Sequence, residues 1–443
     1  MIRTSHAPPH DAARHALSTP RQRSPGLIAA CLSVAPLLSL LPLSAHATNG
    51  YFSHGYGAQA LGTAGVAIAL PQDALVIAAN PAGISHLGSR LDVGVSLFRP
   101  EREATVSGSP VPGFNGTYSG DSKKNFWIPE FGYTRQLTGG LSAGLAVYGN
   151  GGMNTGYERN PFAAIGGQGQ AGVNLEQLYV SPALSYRVNE THSLGVALNL
   201  VHQRFSAEGL QAFDNGNFSA SPGNVTNRGS DTSNGAGLRL GWLGQLTPEI
   251  KVGFSWASSV RGQFDRYRGL FAGDGNFDIP ATWGLGASWQ ATPAVQLAAD
   301  YQRIDYSNTR AVGNPLAPLL SGKKLGESAG PGFGWQDVSV IKLGAVYRHS
   351  DAWTLRAGYS HAEQPIPRDQ TFFNILAPGV VQDHITAGFT WRVNAQSELT
   401  GYAAHAFSKA VSGQGSIPSL LGGGEVDVRM KQNTFGVAWG RKF

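Results

Sequence analysis

The feature that most constrains the fold is an alternation of short and long gaps between strand-like runs after residue 90. Fourteen runs alternate apolar residues with small or polar ones, which is typical of strands that have two different faces. From the second run onward, short and long gaps alternate without exception. A chain that crosses a bilayer repeatedly, with tight turns on one side and long loops on the other, produces this pattern.

The predicted strands are Leu91–Phe98, Asn125–Arg135, Leu141–Tyr148, Gly172–Arg187, Ser193–Gly209, Gly235–Gln245, Ile250–Val260, Ile279–Gln290, Val295–Tyr306, Val338–His349, Trp353–Tyr359, Asp383–Arg392, Ser397–Phe407 and Val426–Phe443. A soluble β-sandwich would alternate similarly, but its strands commonly have about five or six residues and its connections have no reason to alternate in length. The sequence therefore predicts an all-β fold, a 14-stranded antiparallel transmembrane β-barrel over residues 91–443.

The first 47 residues have the form of a secretory signal peptide. A basic start is followed by the apolar run Leu27–Leu43 and by the small-x-small sequence Ala45-His46-Ala47. The alternative, a transmembrane anchor, fits less well because the run is short and broken by prolines. Cys31, the single cysteine, lies in this segment, so the mature chain is expected to contain no disulfide. Removal of the signal peptide also removes four arginines and Asp11, so the basic residues fall from 33 to 29 and the acidic residues from 28 to 27. The small remaining net charge gives no reason to expect a nucleic-acid partner.

Residues 48–90 do not follow the strand rhythm. The stretch Ala58–Leu70 is small, apolar and uncharged, Pro71-Gln72-Asp73 is a plausible helix start, and Asn80 to Gly83 form a turn. A disordered linker is the alternative, but the apolar content argues against it. A barrel of fourteen strands has a lumen wider than its own side chains can fill. We therefore expect residues 48–90 to form a small, partly helical N-terminal hatch that plugs the lumen.

The residues of this segment also resemble a known family. The run Gly62–Ala69, Asp73 and the motif Asn80-Pro81-Ala82-Gly83 are similar to the N-terminal hatch of the FadL/TodX family, which are outer-membrane channels for long-chain fatty acids and other hydrophobic compounds. Weaker similarities extend to the last strand, which ends in Phe443, so the resemblance covers the whole mature chain.

The resemblance implies a function and a set of partners. It implies passive uptake of hydrophobic molecules, long-chain fatty acids first, across the outer membrane of a Gram-negative bacterium, without enzymatic activity, cofactor or metal. The implied partners are the hydrophobic ligand, outer-membrane lipid and lipopolysaccharide, and the barrel-assembly machinery, which would bind the C-terminal Phe443. A monomer is expected.

The resemblance also implies a lateral exit. In the family, an inward kink of the third strand opens the barrel wall. Here that strand ends in Gly149, Asn150, Gly151 and Gly152, and three glycines in four residues hold a regular strand poorly. The alternative is that these residues simply begin an extracellular loop.

Apolar residues in the long loops form a second candidate site. Leu319 and Leu320 lie in one loop, and Phe372 and Phe373 lie in another. Loops bathed in water usually lack such runs, so they could capture a hydrophobic ligand. They could equally pack on each other as a cap, and both roles are compatible.

Four basic residues could bind the head group of a fatty acid: Arg204, Arg239, Lys342 and Arg356. Arg356 and Lys342 fall on the inward phase of their strands, whereas Arg204 faces inward only if a bulge intervenes. A salt bridge in the lumen or a contact with lipopolysaccharide is the alternative role for each.

The ligand and the class of protein have further alternatives. Fatty-acid members of the family carry basic residues late in the fifth strand and before the tenth, where this chain has Gly209 and Pro331. A channel for neutral aromatic hydrocarbons is therefore an alternative function. A barrel enzyme such as a lipase is disfavoured because the histidines are scattered and no serine motif is recognisable. A polar-solute porin predicts no plug, and an adhesin needs no conduit.

Overall fold

A computed structural model describes residues 49–443. The signal peptide predicted over residues 1–47 lies outside the described residues. Fourteen long strands form one antiparallel sheet in which each strand pairs with its neighbours in the wall, and the last strand pairs with the first. That final ladder runs from Arg90 opposite Lys442 to Ser107 opposite Glu425 and closes the sheet into a barrel. The predicted 14-stranded β-barrel is confirmed.

The strands are β1 Arg90–Ser107, β2 Gly116–Ser119, β3 Phe126–Gln136, β4 Leu141–Gly151, β5 Asn154–Tyr157, β6 Ala171–Arg187, β7 His192–Glu208, β8 Asp231–Gln245, β9 Ile250–Ala257, β10 Thr282–Gln290, β11 Val295–Ile304, β12 Val338–Arg348, β13 Trp353–Ala362, β14 Asp383–Arg392, β15 Ser397–Val411 and β16 Glu425–Lys442. Two of these, β2 and β5, have only four residues each and add to β1 and β6 outside the ring of fourteen.

The helices within residues 49–443 are all short. The α-helical turns are Ala58–Leu61, Ala272–Gly275 and Arg310–Gly313, and the 3₁₀ turns are Ala74–Ala78, Pro81–His86, Ala163–Ile165, Gln211–Phe213, Asp265–Tyr267, Tyr306–Asn308, Ala317–Ser321, Arg368–Gln370, Phe373–Ile375 and Ser419–Leu421. Among residues 49–443, none of the helices has both the length and the apolar character needed to cross a membrane.

The predicted end of the first strand is wrong. The sequence prediction stopped at Phe98 because charged residues and a proline follow, but β1 continues to Ser107. Its charged side chains pair across the ladder with β16, where Arg429 lies 2.8 Å from Glu103 and Lys431 lies 3.0 Å from Glu101. Such cross-strand pairs stabilise a strand that contains few apolar residues.

The two faces of the wall follow the alternation in the sequence. On β7, Leu194 and Leu200 are exposed on the outer face, whereas Ala197 and Asn199 are buried on the inner face. An apolar outer face suits contact with lipid. The short turns between strands lie at the periplasmic end of such a barrel and the long loops at the extracellular end.

Residues 49–89, which we call the luminal segment, lie inside the barrel. The wall has glycines at inward positions, and a Cβ added to them would touch the luminal segment. These are Gly132, Gly144, Gly195, Gly253, Gly286, Gly344, Gly358 and Gly388. They belong to strands distributed around the barrel, so the segment fills the lumen, and the small inward residues of the wall provide the space for it.

Candidate functional site

Asn80 joins the luminal segment to the wall. Its Oδ1 accepts a hydrogen bond from Ala82 N at 3.1 Å, which caps the 3₁₀ turn Pro81–His86. Its Nδ2 donates to Ile68 O at 2.8 Å and to Trp242 O of β8 at 2.9 Å. The side chain is fully buried, so the amide satisfies three backbone groups that water cannot reach.

The rest of the Asn-Pro-Ala-Gly motif packs closely. Ala82 lies against Gly195 of β7, and a Cβ on Gly83 would come within 2.8 Å of Val76 Cγ2. Pro81 occupies the first position of its turn, where the missing N–H costs nothing. The motif therefore anchors the luminal segment to the wall.

Carboxylates of the wall bind backbone N–H groups of the luminal segment. Glu130 of β3 accepts two hydrogen bonds, of 3.1 and 3.0 Å, at the start of the helix Ala58–Leu61. Asp300 of β11 accepts from Ala67 N at 2.8 Å and from Ile68 N at 3.0 Å. The sequence did not indicate these roles, although Asp300 alternates with apolar residues in its strand. A buried carboxylate facing free backbone N–H groups fixes the chain strongly.

Asp73 is the carboxylate that the luminal segment itself contributes. It accepts hydrogen bonds from Leu75 N at 3.0 Å and Gln59 N at 3.2 Å, and so caps the turn that follows it. Burial raises the pKa of Asp73 to about 7, and the nearby Asp92 raises it as well. The luminal segment therefore contains an acid that can titrate near neutral pH.

The hydrogen-bonded ladder of the wall is interrupted between β3 and β4. The ladder joining these strands ends at the pair Phe131 and Val147, while β4 stays paired with β6 as far as Gly151 and has an irregularity at Asn150. Residues 126–130 of β3 pair with β1 on their other side. Within the described part of the chain they have no ladder partner from β4, so the sheet is interrupted there.

Beyond Val147, β4 turns inward and pairs with the luminal segment instead. Ser53 N donates to Asn150 O at 2.8 Å, and Gly152 N donates to Tyr51 O at 2.8 Å. A Cβ on Gly151 would overlap the carbonyl of Tyr51, so only glycine allows this close approach. The predicted kink residues lie at this point, and the strand does more than begin a loop.

Buried aromatic rings connect the extracellular loops to this inward strand. Phe205 lies 4.7 Å from Phe271 between ring centroids, and Phe271 lies 4.9 Å from Phe277. Phe277 is 6.0 Å from Tyr51, which stacks on Phe52 at 5.3 Å. We call these five residues the aromatic column. The sequence did not indicate this column because its members come from three separate parts of the chain.

A small apolar cavity of about 40 Å³ lies at the extracellular end of the aromatic column. Its lining includes Phe205, Phe213, Phe271, Phe333, Phe373 and Leu376. Pockets that hold drug-sized ligands have about 300–1,000 Å³, so a hydrocarbon can enter only if these side chains move apart.

A second cavity, of about 30 Å³, lies deeper, where Phe52 and Tyr56 face the wall. Arg239 and Lys342 both line it and both are buried. Lys342 Nζ donates to Gln302 Oε1 at 3.2 Å, and Arg239 makes long contacts of 3.3 and 3.4 Å to neutral oxygens. Of the ion pairs found in residues 49–443, none includes either cation.

The other two basic candidates lie elsewhere. The register of β7 with β8 is unbroken from His192 to Phe205, so the bulge that would turn Arg204 inward does not occur. Arg204 is exposed on the outer face and donates to Ser230 Oγ. Arg356 faces inward but lies near the periplasmic turns, bonded to Gln59 and Gln72 of the luminal segment.

The candidate loop residues divide between interior and surface. Phe372 and Phe373 are buried, and Phe372 lies 5.8 Å from Phe162 between ring centroids. Leu319 is buried, whereas Leu320 is 59% exposed. The loops therefore pack on each other, and one leucine of the pair remains available at the surface.

The chain has clear similarity to known proteins. A family model described as "Outer membrane protein transport protein (OMPP1/FadL/TodX)" matches residues 43–443. The long-chain fatty acid transport protein of Escherichia coli (strain K12) is 22% identical over 392 residues, which is 79% of this chain and 85% of that protein. The corresponding protein of Salmonella typhi is 22% identical over 381 residues, with 79% and 84% covered.

Solved structures show the same fold. The toluene transporter TodX of P. putida is similar with a TM-score of 0.64 and 17% identity, over 88% of this chain and 99% of that one. A FadL homologue of Pseudomonas aeruginosa is similar with a TM-score of 0.66 and 17% identity, over 89% and 100%. Because the family model spans the described barrel and luminal segment, the chain belongs to the FadL/TodX family, and it is a transport protein of the Gram-negative outer membrane rather than an enzyme.

Proposed function

We propose that this protein takes up long-chain fatty acids and releases them sideways from the barrel into the membrane. The extracellular loops capture the ligand, the aromatic column conducts its apolar chain inward, and the gap between β3 and β4 is the exit. The observation that carries this proposal is the departure of β4 from β3 after Val147, together with its pairing to Tyr51 and Ser53 inside.

The aromatic column supports an apolar path that ends near this gap. Tyr51 and Phe52 belong both to the column and to the segment that pairs with β4. A ligand that displaces their rings therefore acts directly on the backbone that holds the strand inward. Apolar side chains transfer an acyl chain from water favourably, by about 0.8 kcal/mol per buried methylene group.

Two buried cations favour a carboxylate ligand. Arg239 and Lys342 line the cavity below Phe52, and Arg239 Nε has no hydrogen-bond partner among the described residues. A buried charge without a counter-charge is costly, and a carboxylate would complement Arg239, whereas Lys342 lies opposite Asp300 in the ladder of β11 with β12. Asp300, which lines the same cavity, is held by backbone N–H groups of the luminal segment.

Neutral aromatic hydrocarbons are the second candidate ligands. Gly209 and Pro331 stand where the family resemblance implies basic residues, and both flank the loops that cover the apolar cavity. A ligand without a head group would need only the aromatic column. Uptake of labelled oleate and of toluene, each measured in deletion cells that carry this chain or an empty vector, distinguishes the two ligands. Equal uptake with and without the chain, for both compounds, would reject the transport proposal.

A reversible cross-link tests the lateral exit. A Cβ on Gly149 would lie 3.4 Å from Ile128 Cγ2, across the gap from β4 to β3. Cysteines at these two positions are therefore close enough for a disulfide, and residues 49–443 contain no other cysteine. We expect the oxidised Ile128→Cys/Gly149→Cys protein to lose uptake and to regain it after reduction.

The matched controls are Ile128→Cys alone and Gly216→Cys alone. Gly216 has open space around it, so the substitution should leave transport unchanged. If the cross-link forms completely and uptake stays at the reduced level, ligand does not leave between β3 and β4.

A further inference from the structure

The periplasmic end of the lumen contains a polar cavity of about 200 Å³ that the transport path does not use. Residues of β1 and of β10 to β16 line it, together with Gln59 and Gln72 of the luminal segment. Residues 293 and 294 and residues 351 and 352, which belong to two short turns, form its rim. Since the short turns lie on the periplasmic side, the cavity opens to the periplasm. We call it the periplasmic vestibule.

The vestibule is rich in positive charge. Its lining contains five basic residues, Arg90, Arg348, Arg356, Arg392 and Lys442, and two acidic ones, Asp351 and Glu398. The difference, five minus two, is three positive charges. Arg90 and Lys442 both pair with Glu398, at 2.8 and 3.0 Å, and Arg90 also pairs with Asp92. Arg90 and Lys442 are thus balanced by Asp92 and Glu398, and the three remaining arginines outnumber Asp351 by two positive charges.

These three arginines lie on three neighbouring strands and span a height of four residues, about 13 Å. Arg348 of β12 is opposite Thr354 of β13, and Thr354 is opposite Thr390 of β14. Arg356 lies two residues from Thr354 toward the extracellular side, and its guanidinium donates back to Thr390 Oγ1, at the level of Arg348. Arg392 lies two residues from Thr390 toward the periplasmic side. Neighbouring strands are about 4.8 Å apart, so one small anion can reach more than one guanidinium group.

Arg356 is the buried member of this group, with 8% of its surface exposed. Nε donates to Gln72 Oε1 at 2.7 Å, and its two terminal nitrogens donate to Thr390 Oγ1 at 2.7 Å and Gln59 Oε1 at 2.6 Å. All three acceptors are neutral. In the part of the chain that the structure describes, no salt bridge includes Arg356, so its buried charge is hydrogen-bonded to neutral groups only. Glu398 is the nearest acidic partner through Gln59, whose Nε2 donates to Glu398 Oε1 at 2.7 Å.

We propose that the periplasmic vestibule binds a small oxyanion, a carboxylate or a phosphate, between Arg348, Arg356 and Arg392. Oxyanions accept paired hydrogen bonds from guanidinium groups and supply the missing negative charge. Two of the three acceptors that Arg356 now uses belong to the luminal segment. An anion that takes over this guanidinium releases Gln59 or Gln72, so binding loosens the luminal segment at its periplasmic side. This inference does not depend on which cargo the barrel carries.

Isothermal titration of the purified full chain in detergent tests the site. Inorganic phosphate and hexanoate are titrated separately at constant ionic strength, with chloride as the reference anion. The Arg348→Gln/Arg392→Gln protein changes two exposed side chains and should fold normally. We expect its affinity for the bound anion to fall at least tenfold, since it loses two charge-assisted contacts.

The control is Lys124→Gln/Lys409→Gln, which removes the same charge from exposed positions outside the vestibule and should bind like the unmodified chain. If phosphate binds and hexanoate does not, the ligand of the vestibule is a free inorganic anion. If hexanoate binds, the ligand is a carboxylate. If neither anion binds more tightly than chloride, or if the arginine double variant binds equally well, the site is rejected.

Hydrogen exchange measures the coupling separately. We expect the bound anion to increase exchange of the backbone around Gln59 and Gln72, and Arg356→Gln to increase it without the anion. Unchanged exchange on binding would overturn the coupling.

Discussion

Replacing Asn80 with alanine should release the luminal segment from the wall without unfolding the barrel. The substitution leaves three buried backbone groups without a partner: Ala82 N–H, Ile68 C=O and Trp242 C=O. Each unsatisfied group costs about 1–3 kcal/mol. The lower limit for three groups is about 3 kcal/mol. Since about 1.4 kcal/mol corresponds to a factor of ten, local opening should become more than about 100-fold more frequent.

Hydrogen exchange followed by mass spectrometry measures this opening directly, because amides exchange through local unfolding when it costs less than global unfolding. Exchange of residues 49–89 should accelerate by about 100-fold, while β10 to β16 stay protected. Asn80→Asp preserves the acceptor for Ala82 N but loses both donors, so it should accelerate exchange as well. Asn217→Ala, at an exposed loop position, is the matched control.

The reasoning would be refuted by an increase of less than about threefold in Asn80→Ala. It would also be refuted if the wall exchanged as fast as the luminal segment. In the first case the three hydrogen bonds have little net value, and in the second the barrel and the luminal segment unfold together.

Three further predictions concern charge. Arg239→Gln and Lys342→Gln should each raise the KM for oleate uptake several-fold and leave toluene uptake unchanged, and equal effects on both would contradict a carboxylate site. The pKa of Asp73 is raised to about 7 in the folded chain from 3.8, so its stabilisation of the luminal segment is complete below about pH 4 and is lost as the pH rises through 7. Exchange of residues 49–89, corrected for intrinsic rates, should therefore increase from pH 5 to pH 8, and Asp73→Asn should reduce that increase. Arg204→Ala should leave uptake unchanged because the side chain lies on the outer face, and a loss of uptake would show that the outer rim takes part.

The barrel could be predicted from the sequence because each strand must alternate to face lipid on one side. Strand β14, Asp383–Arg392, was predicted with its observed bounds because an apolar residue occupies every second position and a tight turn follows it. The extension of β1 could not be predicted from local pattern. Its charges are stabilised by partners on β16, more than 300 residues away in the chain.

The sequence indicated some features of the candidate site but not others. The glycines after Tyr148 predicted a weak point in β4 because glycine disfavours a regular strand. The sequence did not show which backbone would occupy the space that opens, since Tyr51 and Ser53 lie about a hundred residues earlier. The same limitation applies to Arg204 and Arg239. Both are arginines on long strands, and the sequence did not show which side of the wall each one faces. Only the unbroken register of β7 with β8 places one of them outside the wall and the other inside it.

The luminal segment connects the three regions of the lumen. Tyr51 belongs to the aromatic column, and its backbone pairs with β4. Asn80 anchors the segment to β8. Gln59 and Gln72 accept hydrogen bonds from Arg356 at the periplasmic end. A ligand arriving at Tyr51 and an anion arriving at Arg356 therefore act on one continuous chain of about forty residues. Because Asn80 anchors the luminal segment to the wall, its hydrogen bonds should decide whether a displacement at one of these contacts is transmitted to the other. If Asn80→Ala made exchange near Gln59 sensitive to hydrophobic ligand, whereas the unmodified chain showed no such sensitivity, Asn80 would be the residue that keeps the two ends of the lumen independent.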